Sequence, residues 1–172
     1  MTGPRSSMSK GASPVVMEIE RSGLDRLTTR LLWLSILLAF LHHADHALRV
    51  DHSGWPFREM VTPFTYSLAA YPVILFALFG PLRLFWMRWV LLAAATAFTI
   101  FAHTAIENPM TQFHMRAHNA SAHDEGLRNA LDVRSPLLGV LSMTIGMALN
   151  ITAIVATLAT ARCGLQKPGR SR

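Results

Sequence analysis

Charge is what this sequence has least of. Of its 172 residues only 15% are charged, whereas 51% are hydrophobic; a soluble domain usually carries about 25% charged residues. Too little charge remains to cover a water-facing surface. Cysteine is also nearly absent. The single thiol, Cys163, excludes an internal disulfide and any cysteine-rich metal centre. It falls just past the last apolar block and reads as an incidental free thiol. A removable secretory leader is not visible either: the first apolar block starts near residue 31 and has no small-x-small site after it, so it reads as retained.

Acidic residues are fewer than basic ones, 10 against 16. That excess does not point to nucleic acid, because it is segregated along the chain. Arg5, Lys10, Arg21, Arg26 and Arg30 precede the first apolar block. Arg83 and Arg88 lie at the turn between the second and third, and Arg162, Lys167, Arg170 and Arg172 follow the fourth. The intervening segments hold only Arg49, Arg58, Arg116, Arg128 and Arg134, with most of the acidic residues. Short cytoplasmic loops carry such a bias. The expectation is an all-α, integral-membrane four-helix bundle in a plasma or inner membrane, with both termini cytoplasmic and basic tails against anionic lipid.

The apolar blocks place spans at about 31–48, 65–79, 86–106 and 137–161, between a basic segment at 1–30 and a basic tail at 162–172. Residues 17–27 carry a weak pattern for an interfacial helix, and 49–64 read as an outer loop. Pro72 falls inside the second span and can kink it; Gly80-Pro81 marks a tight turn. Ala93, Ala94, Ala95 and Ala97 offer a thin face to a neighbouring helix, and Gly139, Ser142 and Gly146 do so on the fourth span. Asn150 reads as an interhelical hydrogen-bonding residue. Residues 111–131 are expected to form a helix that covers the outer end of the bundle.

That outer end is where histidine collects. His42, His43, His46, His52, His103, His114, His118 and His123 all map to the outer half or the outer segments. At 1.5 Å per residue, His42 lies about 16 Å along the first span, near mid-depth. An ionisable group there is costly to bury without a partner and is a functional candidate by default. His42 and His46 are four apart and share a helix face, with Asp45 beside them. His103 and Glu107 repeat the spacing on the third span, at a depth matched to His46. His42, His46, His103 and Glu107 would then converge as a nitrogen-rich set with one carboxylate, suited to Zn, Fe or Cu rather than Ca or Mg. Asp45 would orient a ligating imidazole, and Glu107 would be ligand or general base. His114 and His118, again four apart, would add metal ligands from the cover. His43 points about 100° from His42, and His43 and His52 read as ordinary hydrogen-bonding groups. Asn119-Ala120-Ser121 matches a glycosylation sequon.

The order HHxxH, then HxxxE and HxxxH, resembles the histidine pattern of integral-membrane di-metal oxygenases and desaturases. Those enzymes carry their histidines on the cytoplasmic side, whereas the charge bias here puts them outside, so no family follows from it. HExxH is absent, which removes a zincin protease. The functional expectation is a metal-dependent enzyme acting on a lipid-like or quinone-like substrate, with Arg49 or Arg116 binding a headgroup. Three alternatives compete with it: a haem-binding electron-transfer bundle, a metal carrier, and a structural or accessory subunit among partner membrane subunits.

Overall fold

The computed structural model describes residues 22–49, 63–120, 128–129 and 131–166. The readings made above for 1–21, for most of the 49–64 loop, for His52 and His123, for Ser121 of the sequon and for the last six residues lie outside them. Among the described residues all regular structure is helical. The chain runs through α1 (Arg26–Arg49), the short α2 (Pro63–Ser67), α3 (Ala70–Phe79), a 3-10 turn (Leu82–Leu84), α4 (Phe85–Phe101), a π-helical turn (Ala102–Ile106), α5 (Pro109–Ala117) and α6 (Pro136–Leu165).

Three of these runs are long and apolar enough to cross a bilayer: Arg26–Leu48, Leu82–Ile106 and Pro136–Leu165. Most of each run is not buried within the chain, and large apolar side chains such as Phe40, Leu137, Ile151 and Leu158 face outward. Surface of that kind is stable against lipid and unstable against water. The protein is therefore a multi-pass, all-helical membrane protein.

The helices exceed the sequence-based spans because their polar ends continue the same hydrogen-bonded ladder. α1 starts where Asp25 accepts the Thr28 N–H at 2.6 Å, a side-chain cap on an otherwise orphaned donor. α6 starts at Pro136 behind the cap Ser135, which accepts from Leu138 N at 3.3 Å. It ends at Leu165, so Cys163 lies within the helix, buried beside Thr28 with 3.4 Å between Oγ1 and Sγ.

The second apolar block is the shortest. Residues Phe64–Phe79 are apolar and helical overall, but the helix breaks at Leu68 and Ala69. Pro72 explains the place: it has no N–H to give the carbonyl four residues back, and its ring crowds that carbonyl. The chain turns tightly there instead, with Ala69 N donating to Tyr66 O and Tyr71 N to Leu68 O.

At the other end of α3 lies a device the sequence did not announce. Arg88, expected to sit near the membrane surface with Arg83, is 1% exposed. Its Nε donates to Ala77 O at 3.1 Å, Nη2 donates to the same oxygen, and Nη1 donates to Ser22 O at 2.9 Å. The guanidinium thus satisfies a carbonyl in the last turn of α3, which has no helical partner, and ties it to the chain just before α1. Gly80 is needed for this route, because a Cβ there would stand 2.5 Å from Phe76 O and 2.8 Å from Arg88 Cδ.

The cover helix is shorter than expected. α5 begins at the cap Asn108, which accepts from Thr111 N at 3.0 Å, with Pro109 in the first turn. It stops at Ala117 rather than continuing to 131. Asn119 takes a left-handed backbone, φ 54°, which asparagine tolerates better than most residues. Its side chain then bonds outside the helix, donating to Asp132 at 2.6 Å and accepting from Asn129 N at 2.8 Å. Asn129 in turn brackets Val133, accepting from its N at 3.1 Å and donating to its O at 2.7 Å. An amide network therefore replaces the expected helix on both sides of residues 121–127.

α5 packs chiefly on α6, as does α1. The glycines read as packing positions serve that contact: a Cβ at Gly139 would meet Phe113 O at 2.8 Å, and one at Gly146 would meet Gln112 Oε1 at 2.5 Å. The alanine run on α4 does not form one contact face, since Ala94 and Ala97 are exposed. The contact of α4 with α6 is made instead by Thr96, whose hydroxyl lies 2.8 Å from that of Thr157, and by Trp89 Nε1, which donates to Thr157 O at 3.2 Å.

Candidate functional site

α1 and α4 carry their ionisable residues to the same region between the helices. His42 and His103 are 5% and 7% exposed, and their Nε2 atoms are 3.0 Å apart. On the far side of the His103 ring, Nδ1 is 3.0 Å from Asn150 Oδ1 on α6. An amide oxygen can only accept, so His103 carries its proton on Nδ1 and presents the Nε2 lone pair to His42. His42 donates from Nε2 into that lone pair. Asn150 is the interhelical hydrogen-bonding residue read from the sequence, and its partner is the central histidine.

One turn further along, His46 Nε2 and Glu107 Oε2 are 3.4 Å apart. Glu107 is 8% exposed, and the His46 ring stacks on Phe64 with centroids 4.6 Å apart. The short contacts therefore pair His42 with His103 and His46 with Glu107. Counting depth along each helix separately ignores tilt and the turn that carries His103 and Glu107. That turn, Ala102–Ile106, is π-helical, closed by Glu107 N donating to Ala102 O at 2.8 Å. Single π turns inside α-helices occur often at functional sites.

Asp45 also receives hydrogen bonds from two other helices. Its Oδ1 accepts from Arg116 Nη2 at 3.1 Å and Nε at 3.3 Å, and its Oδ2 accepts from Ser142. One carboxylate therefore joins α1, α5 and α6. Arg116, expected to be a headgroup ligand, is 4% exposed and holds the short helix down through this ion pair. His43 is turned to α2 and α3, with Nδ1 2.7 Å from Tyr71 OH and Nε2 2.8 Å from Ser67 Oγ.

His114 and His118 are not brought to the His42–His103 pair. They lie on the exposed face of the α5 segment, ring centroids 5.0 Å apart, while Gln112, Met115 and Arg116 form its buried face. Among the described residues no group of three or more histidine, cysteine, aspartate or glutamate side chains is arranged to hold a metal ion.

A cavity of about 60 Å³ borders the imidazoles between α1, α3, α4 and α6, with Ala39, Ile74, Leu92, Ala95 and Phe98 among its walls. Nothing in the sequence marked it, because its walls are ordinary core residues whose small size matters only once four helices are assembled.

No family model, curated protein or solved structure matches this chain.

Proposed function

We propose that the protein holds a transition-metal ion, Zn, Fe or Cu, between α1 and α4, with His42 and His103 as its first two ligands, and acts on a lipid-like or quinone-like substrate at the outer side of the membrane. The observation that carries this reading is the His42–His103–Asn150 relay. Two nitrogens each about 2.0–2.1 Å from one ion at tetrahedral angles stand about 3.3 Å apart, so the pair needs to open by only a few tenths of an ångström. A ligating histidine typically donates its other N–H to an oxygen that fixes its tautomer, and Asn150 is placed to do that for His103.

His46 and Glu107, one turn outward, are the donors an ion would draw in to complete the shell, with Glu107 also available as a base. His114 and His118 would form a separate surface ligand pair. In this reading α2 and α3 together serve as the second of four spans, α5 is the cover, and both termini are cytoplasmic, on the strength of the charge bias. Haem is less well served. Its axial ligands stand on opposite faces of a ring, whereas these two nitrogens are in hydrogen-bond contact.

A second reading has its own support. The described polar groups are largely engaged with one another, and no three donors are arranged for an ion, as in a structural or accessory subunit whose histidines fasten helices together. Elemental analysis with absorbance spectroscopy on purified wild type, His42→Ala and His103→Ala decides between them. The metal reading expects stoichiometric metal in wild type and its loss in both variants while helicity is retained. Wild type without metal, or equal metal in all three, overturns it.

A further inference from the structure

The cavity beside the imidazoles has walls that speak to what it takes. We infer that it is a binding site for a small non-polar molecule of the size of dioxygen. The inference rests on the metal-site reading for its functional sense, since a bound dioxygen would meet a redox-active ion there only if that ion is Fe or Cu rather than Zn.

Size comes first. A volume of about 60 Å³ exceeds the roughly 10–15 Å³ that admits one water. It is well below the roughly 150 Å³ of a dry cavity that takes benzene. A quinone ring or an acyl chain does not fit inside it. A diatomic or triatomic molecule does.

The polar groups at its wall decide between water and a non-polar guest. Four hydroxyl residues line it, Ser35, Ser67, Thr96 and Thr99, and each is already engaged. Ser35 donates to Leu31 O at 2.9 Å, Ser67 to Phe64 O at 2.6 Å and Thr99 to Ala95 O at 2.9 Å, while Thr96 bonds Thr157. Both ring nitrogens of His43 have partners in Tyr71 and Ser67, and both of His103 have partners in Asn150 and His42. A buried water needs two to four polar partners. These polar side chains are engaged with protein partners, and apart from His42 the other lining residues are alanine, leucine, isoleucine and phenylalanine. Such cavities stay dry and accept xenon-like guests.

Position completes the argument. The cavity opens onto the imidazoles of His42 and His103, so a guest within it would lie beside the proposed ion. Alanines keep the space open: Ala39, Ala70, Ala95, Ala102, Ala153 and Ala156 all line it.

Xenon is the probe. Crystals of the full chain pressurised with xenon should show one anomalous peak between α1 and α4 beside His42 and His103. Ala153→Leu should reduce that peak to background, and Ala95→Val, a smaller intrusion, should lower its occupancy. Both variants are checked for helicity and metal content. Ordered water in the cavity, or no xenon in a wild-type crystal that binds xenon elsewhere, overturns the inference. So does a peak unchanged by both well-folded variants. Metal content is read on the same preparations and separates the two claims. Metal without xenon ends the gas site alone, and xenon without metal ends the metal site while leaving a gas-binding cavity.

Discussion

Near the start of the Leu82–Ile106 run, Arg88 gives its hydrogen bonds to main-chain carbonyls, those of Ala77 and Ser22. Near the end of the same run, His103 pairs with two side chains, His42 and Asn150. Both residues are almost wholly buried. The first arrangement completes a helix end and has one stable protonation state, because arginine stays charged. The second places two imidazole rings nose to nose, the Nε2 of one against the Nε2 of the other. Burying a charge against backbone serves the fold. Burying an imidazole against an imidazole gives a pair whose donors and acceptors can be exchanged for an ion or a proton.

That contrast predicts its largest effect at Arg88. Arg88→Ala removes donors to two buried carbonyls at once and leaves a void beside Gly80. Hydrogen bonds from a charged donor contribute about 1.5–3 kcal/mol each, so a loss of about 4 kcal/mol is expected. Folded yield and thermal midpoint in detergent measure it. Arg88→Lys should recover only a fraction, since one ammonium cannot reproduce the fork that reaches both carbonyls. A well-folded Arg88→Ala protein would erase the distinction between the two ends.

The Asp45–Arg116 pair comes next, and it belongs to the structural side of the comparison despite its place among the histidines. Asp45→Leu leaves the Arg116 guanidinium buried without its carboxylate, a change that costs about 3 kcal/mol. The double variant Asp45→Leu, Arg116→Met removes both charges and should regain most of that loss. Protease susceptibility of the segment after α5 reports the same docking. If the single and double variants are equally unstable, the ion pair is not what holds α5 to the bundle.

Asn150 sharpens the comparison from the other side. Asn150→Ala frees His103 to take either tautomer, so metal affinity should fall about 10–100-fold, the usual cost of losing a ligand's orienting partner. Stability should change by about 1 kcal/mol or less, since only one hydrogen bond is lost. Zinc or iron titration beside thermal unfolding separates the two readouts. A variant that loses stability and keeps its metal affinity would move Asn150 to the structural class.

How much of this the sequence carried follows from range. The spans, the break near Pro72 and the packing glycines of α6 are local patterns of hydropathy, ring chemistry and residue size, and they were legible. So was the face shared by His42 and His46, because an i,i+4 spacing on α1 survives any helix packing; that His103 and Glu107 meet them rests on contacts between helices. That pairing was not legible, because register between α1 and α4 depends on tilt and on a π turn that no residue type specifies. Arg88 and Arg116 were misjudged for one reason: composition counts them as surface charge, and only the assembled neighbours, Ala77 O and Asp45, show why burial is tolerable. The end of α5 was missed because Asn119 and Asn129 close a loop through partners ten or more residues away.

The smallest effect is expected outside the spans, where Asp25 caps α1 on the Arg88 side of the bundle. The Thr28 backbone N–H, above all, favours its ionised form; partial burial opposes this, and the Thr28 hydroxyl, Cys163 and Arg162 add to it, so that the carboxyl titrates below its ordinary 3.8. A carboxyl depressed in the folded state contributes stability that is present above 3.8 and is lost as pH falls from there through the lower folded value. The group is mostly exposed to solvent, and screening keeps the contribution small. Asp25→Asn preserves an oxygen for the Thr28 N–H, because asparagine caps helices nearly as well as aspartate, but it removes the titration. The thermal midpoint of wild type should therefore converge on that of Asp25→Asn as pH falls from about 6 to about 3, with the wild type higher only at the upper end. Both proteins share every other titrating group, including the histidines, so any common pH dependence cancels between them. Curves that stay parallel over the whole acid range would mean that the Asp25 charge does nothing for the start of α1, and that its role there is the neutral hydrogen bond alone.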